Sequence, residues 1–349
     1  MVARIGDTCV ELPKVVSLFS GAGGLDLGFS DVNFPVVLAV DSSQAAIRTH
    51  QRNFPSAKSI AADLVDLGPE GVIDHLLGLI DPGERLGVIG GPPCQGFSRA
   101  NTTGSGEDDP RNKLPILYLD IVEALQSKFE VEFVLFENVL GIRDAKHSET
   151  FAGILDRFRK LGLRPEVDTY SSLDFGVPQK RTRVIISGFK NQHRASMFRP
   201  KKVPQKNLTV RDAIGGLPPP AYFTRHLEAA DIPFHPNHWT MQPRSKRFSD
   251  PHGLHAAGRS FRRLSWDAPS PTVAYGHREI HVHPDGQRRL SIYEAMILQG
   301  FPEDFVLEGT LSSQVEQVSN AVPPPLARAL AVAVKDVLSE SLPPAVMNG

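Results

Sequence analysis

LGVIGGPPCQGFS, residues 86–98, decides how the chain folds around its chemistry. Leu86–Gly90 is a short apolar run that predicts a buried strand. Gly90, Gly91, Pro92 and Pro93 bar its continuation, since proline cannot donate to a sheet ladder. Cys94 is thereby carried on a stiff turn just past the strand's carboxyl end, the edge at which open α/β sheets bind ligands. A thiol attacks only as thiolate, which a nearby cation or helix N-terminus favours. A lone cysteine is more often an inert buried side chain. The Gly-Gly-Pro-Pro lead-in, with Gln95 and Ser98 following, instead marks Cys94 as a nucleophile.

The same punctuation recurs on either side. Val15–Phe19 reads as a strand running into FSGAGGLDLGF (19–29), where Gly21, Gly23 and Gly24 let backbone approach a ligand before a helix begins. Dinucleotide enzymes use similar turns, but the spacing here is not G-x-G-x-x-G with an NAD-type continuation. About 20 residues on, the strand Val36–Asp41 ends in a carboxylate placed to accept ribose hydroxyls. Asp63, in IAADLVDL, is placed to receive an adenine amino group. The glycine turn, Asp41 and Asp63 together describe an adenosine-containing cofactor. FVLFENVLG (133–141) ends another apolar strand in Glu137 and Asn138, a carboxylate pointing into the crevice of Cys94. QKRTR (179–183) sets Arg181 and Arg183 on one face if extended, where paired cations can orient a carboxylate or lower a thiol pKa. Strand-end Glu-Asn pairs also close turns and paired arginines also form surface ion pairs, so neither is decisive alone.

Across the first 190 residues, short apolar runs alternate with amphipathic stretches, the signature of a parallel sheet covered by helices. Strands are predicted at Val15–Phe19, Val36–Asp41, Leu86–Gly90, Phe133–Phe136 and Arg183–Gly188, and helices at Ser43–Asn53, Leu114–Lys128 and Glu149–Lys160. Beyond Gly188 the pattern degrades: residues 190–262 are rich in Pro, His, Arg and Gly and show no sustained periodicity apart from a short Val210–Ile214 segment. Helical patterning returns at Ile292–Leu298 and Ala321–Leu338.

The net charge of −1 conceals an asymmetry. Residues 190–263 hold 14 Lys and Arg against 4 Asp and Glu, a local charge of +10 on a remainder of −11, and 6 of the 12 histidines. A basic stretch on an acidic chain is the footprint of nucleic-acid contact. Two cysteines, Cys9 and Cys94, build no disulfide framework and imply a reducing compartment; no CxxC or Cys/His spacing suggests a metal. No apolar stretch reaches the ~18 residues of a membrane span, and no signal-peptide pattern opens the chain, so the expected location is cytoplasmic.

Taken together the residues resemble the DNA cytosine-5 methyltransferases, and the match covers nearly the whole chain in the family's motif order. FSGAGG resembles the first cofactor motif, GGPPCQGFS the nucleophile motif, FENV the glutamate motif and QKRTR the arginine motif. DPRNKL (109–114), RRLSWDAPSPTV (262–273), RRLSIYEAMILQGFPEDF (288–305) and QVSNAVPPPLARAL (317–330) resemble further motifs, the last of which folds back beside the cofactor. Two departures are mild: Asp41 stands where many relatives carry glutamate, and Ala321 follows Asn320 where a serine is also seen.

The resemblance implies an α/β fold, a Rossmann-like, mostly parallel S-adenosylmethionine-dependent methyltransferase domain (1–189). A small loop-rich target-recognition domain (190–262) and a C-terminal segment (263–349) that returns to the large domain complete it. Cys94 attacks carbon 6 of a cytosine flipped from duplex DNA, Glu137 contacts ring nitrogen 3, Arg181 and Arg183 support that carboxylate and the extruded nucleotide, and Asn138 and Gln95 brace the site. Phe19, Gly21, Gly23, Asp41, Asp63 and Asn320 map onto cofactor positions. Base-edge readers are expected among Arg225, His238, Gln242, Arg244, Lys246, Arg247 and Arg259. The implied setting is a monomeric prokaryotic or phage modification enzyme working on the nucleoid, paired with an endonuclease of the same target. Three alternatives stand beside it. A transfer-RNA cytosine methyltransferase shares the catalytic motifs, and the PSPTV segment and basic insertion favour DNA. A catalytically silent DNA-binding module conflicts with retention of Cys94, Glu137 and Arg181, and an NAD-type oxidoreductase conflicts with the C-terminal motifs.

Overall fold

The computed structural model of the protein describes residues 11–93, 113–203, 208–249, 261–272, 274–275 and 279–340. Seven strands form one sheet: β1 (Lys14–Leu18), β2 (Val36–Asp41), β3 (Lys58–Ala61), β4 (Arg85–Gly90), β5 (Glu130–Val139), β6 (Arg164–Ser171) and β8 (Thr182–Phe189). A two-residue strand, β7 (Gln179–Lys180), lies outside it and pairs with Ser270–Pro271. The sheet order is β3-β2-β1-β4-β5-β8-β6, parallel from β3 to β5. β8 runs antiparallel to both of its neighbours, so it is inserted between β5 and β6 and does not close the sheet at an edge. The edge strand β6 escapes the sequence pattern because five of its eight residues, such as Glu166 and Asp168, are only half-buried.

Alternation along the strands divides two cores. On one face Val16, Leu18, Val88, Val134 and Phe136 meet α3 (Leu64–Leu77), α4 (Leu114–Gln126) and α5 (Ser148–Lys160). α3 is broken at Gly68, with Pro69 following. On the other face Val15, Ile89, Phe133 and Leu135 meet α1 (Gly24–Ser30), α6 (Gln192–Met197) and α10 (Pro324–Ser339), with Ala195 and Phe198 packed in the same core. α2 (Gln44–Asn53) follows β2 and is capped by Ser43.

α1 and α10 pack closely because α1 presents glycines there. A Cβ at Gly28 would lie 2.2 Å from the carbonyl carbon of Ala327, and one at Gly24 would lie 2.5 Å from the carbonyl oxygen of Val322. The last helix among the described residues is thus seated on the first, which brings Ala321 and Val322 against the glycine turn after β1.

A third core joins α7 (Val210–Ile214), Ile232, Trp239 and Leu264 to α8 (Ile292–Leu298), Phe301, Phe305 and α9 (Leu311–Asn320). One buried reciprocal amide pair braces this core from within, and a second, half-buried one ties it to α2. Asn237 donates from Nδ2 to Leu307 O at 2.9 Å and accepts from Leu307 N–H at 2.8 Å. Asn53 at the end of α2 makes the same reciprocal pair with Val306, at 2.9 and 3.1 Å. No helix among the described residues is long and apolar enough to cross a membrane.

Candidate active site

The order β2-β1-β4-β5 reverses its direction of winding between β1 and β4, and such a switch point leaves a crevice outside the strands' carboxyl ends. The candidate residues converge there. β1 ends at Leu18, and Phe19 follows with φ 54, a left-handed conformation that costs a bulky side chain energy and redirects the chain into the glycine turn. Gly23, at φ 89, packs under the ring of Phe54, 2.4 Å from where a Cβ would stand, so this turn admits no side chain. At Gly21 a Cβ would meet nothing within 4 Å, so the backbone there faces open space.

Asp41 ties this turn to the next. Its Oδ2 accepts from Gly21 N–H at 2.9 Å and its Oδ1 from Ser43 N–H at 2.8 Å. Desolvation raises its carboxyl above the ordinary value, partly offset by those two N–H groups. Each oxygen keeps a second lone pair, so the tie does not exhaust its accepting capacity. Asp63 is exposed at the N-terminus of α3, where Oδ1 caps Val65 N–H at 2.9 Å. Asn320 is the exposed last residue of α9, directly before the Ala321–Val322 segment that abuts Gly24.

Beneath the turn runs a polar chain that the sequence reading did not single out. Ser17 Oγ donates to Asp26 Oδ2 at 2.9 Å, Asp26 Oδ1 lies 3.1 Å from His50 Nε2, and His50 Nδ1 lies 2.8 Å from Ser59 Oγ. It links β1, α1, α2 and β3 in turn. Asp26 lies inside FSGAGGLDLGF, and a carboxylate on the inner face of a short apolar helix was the available signal.

On the other side of the switch point Glu137 and Asn138 close β5, both buried. Glu137 Oε2 would lie 2.7 Å from a Cβ at Gly91, so the carboxylate rests against the backbone of the Gly-Gly-Pro-Pro segment. Asn138 Nδ2 donates to Pro92 O at 3.3 Å and tethers that segment to β5. Arg183 Nε stands 2.6 Å from Glu137 Oε1, an ion pair without the alignment of a directed hydrogen bond. Arg181 is buried and does not share that contact; its Nη2 donates to Ser319 O at 2.7 Å. The two arginines therefore serve different walls, because β7 ends before Arg181 and β8 begins after it, which breaks the two-residue alternation an extended strand would have kept.

Cys94, Gln95 and Arg259 lie outside the described residues, as does the side chain of Arg247 in the turn Lys246–Ser249. Arg225, Gln242, Arg244 and Lys246 are exposed. His238 is not: it is buried, with Nδ1 3.0 Å from Ser291 Oγ and Nε2 2.7 Å from Pro218 O. Desolvation lowers its pKa, and both ring nitrogens are spent inside the third core, so the expectation that it reads a base is corrected. No group of three or more His, Cys, Asp or Glu suited to a metal occurs among the described residues.

A glycine turn, the carboxylates Asp41 and Asp63 and an enclosed Glu–Arg pair thus stand around one switch point. The chain belongs to the C-5 cytosine-specific DNA methylase family, whose sequence profile matches residues 13–336. It is 34% identical over 343 residues to the type II methyltransferase M1.HphI of Haemophilus parahaemolyticus, covering 93% of this chain and 87% of that one. It is 33% identical over 345 residues to the type II methyltransferase M.MthTI of Methanothermobacter thermautotrophicus, covering 92% and 96%. Among solved structures it is similar to a prophage-encoded E. coli protein assigned as a DNA modification methyltransferase, with a TM-score of 0.75, 27% identity and 94% and 100% of the two chains covered. The Dnmt2 methyltransferase of S. pombe shares the fold at a TM-score of 0.63 and 17% identity, over 95% of this chain and 100% of that one. The protein is a DNA cytosine-5 methyltransferase.

Proposed function

We propose that the protein methylates carbon 5 of one cytosine within a specific duplex sequence, using S-adenosylmethionine, as the modification partner of a restriction endonuclease with the same target. The observation that carries the chemistry is the seating of Glu137 against Gly91 and Arg183, three residues from Cys94 in the Gly-Gly-Pro-Pro-Cys segment. The type II methyltransferases among its relatives support the restriction setting. Its place is the cytoplasm, on the nucleoid.

The cofactor fits the first half of the crevice. The open space before Gly21, the strand-end carboxylate Asp41 and the exposed Asp63 and Asn320 supply room and acceptors for an adenosine moiety, with Phe19 and Gly23 shaping the turn. When bound, S-adenosylmethionine supplies an electrophilic methyl group on sulfonium sulfur. Every other requirement falls on the chain. Cytosine carbon 5 is a weak nucleophile until a thiolate adds at carbon 6, and Cys94 makes that bond. Glu137 meets ring nitrogen 3, so that the ring accepts the electron pair displaced by the addition. Arg183 holds that carboxylate in place and Asn138 holds the Pro92 carbonyl of the loop that carries the thiol. Once carbon 5 carries the methyl group as well as its hydrogen, loss of that proton to a base re-forms the ring double bond, breaks the bond between carbon 6 and sulfur and returns Cys94 as thiolate. The target base must leave the stack for carbon 6 to be reached, as in other base-flipping methyltransferases.

The exposed Arg225, Gln242, Arg244 and Lys246, in the basic stretch 190–262, are the proposed DNA contacts together with Arg247 and Arg259. Cys94→Ser tests the assignment: it should abolish methyl transfer while leaving binding of DNA and S-adenosylhomocysteine intact. A duplex with 5-fluorocytosine at the target should trap the wild-type protein covalently, because fluorine does not leave as a proton does. Transfer by the serine variant at the wild-type rate, or trapping through Cys9, would overturn it. Bisulfite sequencing of DNA from a methylation-free host expressing the chain identifies the target.

A further inference from the structure

The segment LQGFP (298–302) lies in a C-terminal motif whose glutamine the cofactor and DNA readings leave unused. α8 ends there in a Schellman turn: Phe301 N–H donates to Met296 O at 3.1 Å and Gly300 N–H to Ile297 O at 3.0 Å. Gly300 has φ 82, and a Cβ there would lie 2.8 Å from Pro325 Cδ in the first turn of α10. This turn holds the fully buried Gln299 against the connection between α9 and α10.

Gln299 Nε2 donates to Val318 O at 2.7 Å and to Ala321 O at 2.8 Å. The oxygen and nitrogen of the amide are thereby assigned, since a carbonyl only accepts. Its Oε1 accepts a long bond from Gln179 Nε2, at 3.4 Å. Arg181 holds the carbonyl between, Ser319 O, at 2.7 Å. Carbonyls 318, 319 and 321 are all gripped by two buried side chains, while Asn320, enclosed by them in sequence, stays exposed.

We propose that Gln299 is a positioning residue for the cofactor: by fastening both ends of the Ser319–Asn320 turn it fixes Asn320 beside the glycine turn of β1 and α1. This rests on the reading that Asn320 contacts the cofactor. Without the amide, two carbonyls lose buried donors, the turn shifts to find others, and binding then bears the cost of restoring it.

The test is calorimetric titration of S-adenosylhomocysteine into the full-length protein, with kcat and KM for S-adenosylmethionine measured on a methylatable duplex. Gln299→Met keeps the volume and removes both donated bonds; Kd and KM should rise together by about tenfold, with kcat at saturating cofactor within about threefold of wild type. Gln299→Glu, which also lacks the donors when ionised, should behave alike. A role confined to stability would lower Tm and the active fraction and leave KM unmoved, the pattern expected of Asn237→Leu, whose amide pairs with Leu307 and not with the 318–321 turn. Wild-type Kd in Gln299→Met, or failure of both Gln299 variants to fold, overturns the proposal. Asn320→Ala separates it from its premise. Unchanged S-adenosylhomocysteine binding in that variant removes Asn320 from the cofactor site and the clamp's purpose with it; weakened binding there beside normal binding in the Gln299 variants removes the clamp alone.

Discussion

Arg183 and Glu137 meet at 2.6 Å although they are not directly opposed: in the β5–β8 register Arg183 faces Val139 and Glu137 faces Ile185. The contact is the diagonal one between same-face residues two apart, which long side chains span. Both side chains are nearly enclosed, at 12% and 11% exposure. Removing one partner of such a pair leaves the other charge without compensation. Glu137→Gln should slow methyl transfer by ~10²–10⁴, as loss of a positioned acid does. Arg183→Met should cost a similar factor. The double variant should be little slower than either single one, because residues that act as a unit are not additive. Single-turnover assays give the rates, and titration with S-adenosylhomocysteine should show near wild-type binding. A turnover number for Glu137→Gln equal to wild type would place the pair outside the reaction.

Gly28→Ala should destabilise the protein by about 1–3 kcal/mol, the usual cost of overpacking. Its new Cβ would lie 2.2 Å from the Ala327 carbonyl carbon and 2.3 Å from Arg328 N, backbone atoms that move only if α1 and α10 part. Gly78→Ala is the matched control, since at φ −89 it has nothing within 4 Å and should lose nothing. Urea midpoints of the two variants decide the point.

Alanine at Arg225, Gln242, Arg244 or Lys246, each exposed, should produce one of two signatures. A base reader relaxes a single target position by ~1–3 kcal/mol. A phosphate contact weakens all duplexes alike and reduces the salt slope by about one. Binding to a duplex library at two salt concentrations separates them, and no change at any of the four would leave the basic stretch a solvated surface.

Acid should weaken the fold in a defined window. Desolvation lowers His235 to about 4, and His281 likewise to about 4, against an ordinary value of 6.5. Above 6.5 both are neutral whether folded or not. Between 6.5 and 4 the unfolded chain binds protons that the folded one refuses, so stability falls with falling pH and the loss is complete below 4. Near the middle of that window the two groups together should take up about two protons on unfolding. His235 Nδ1 accepts from Asn237 N–H at 3.1 Å, a role the oxygen of asparagine can fill. His235→Asn should therefore remove one of these protons from the pH dependence of the urea midpoint; an unaltered slope would refute the assignment.

The sequence by itself determined what depends on neighbours along the chain. Alternating and helical periodicity marked β1, β2, β4, β5, α2, α4 and α5 within a few residues, because such patterns record which face of a local element is buried. Glycine and proline marked the ends at Gly21–Gly24 and Gly90–Pro93 for an equally local reason, since only backbone conformation is at stake. Motif order then named the chemistry. What it did not show were short or half-exposed elements such as β3 and β6, whose inner faces carry too few apolar residues to make a period.

Only the tertiary structure decided how separated residues divide the work. QKRTR suggested two equivalent arginines, yet one meets Glu137 diagonally on the neighbouring strand and the other reaches a carbonyl 138 residues away. His238 looked like a polar reader until packing closed over both its nitrogens. Gly28, Gln299 and Asn237 are ordinary letters in their own stretches. Their roles arise where α10 returns to α1, where α8 ends against the connection between α9 and α10, and within the third core, contacts set by steric fit and buried hydrogen-bond satisfaction across the fold, for which no local spacing carries a signal.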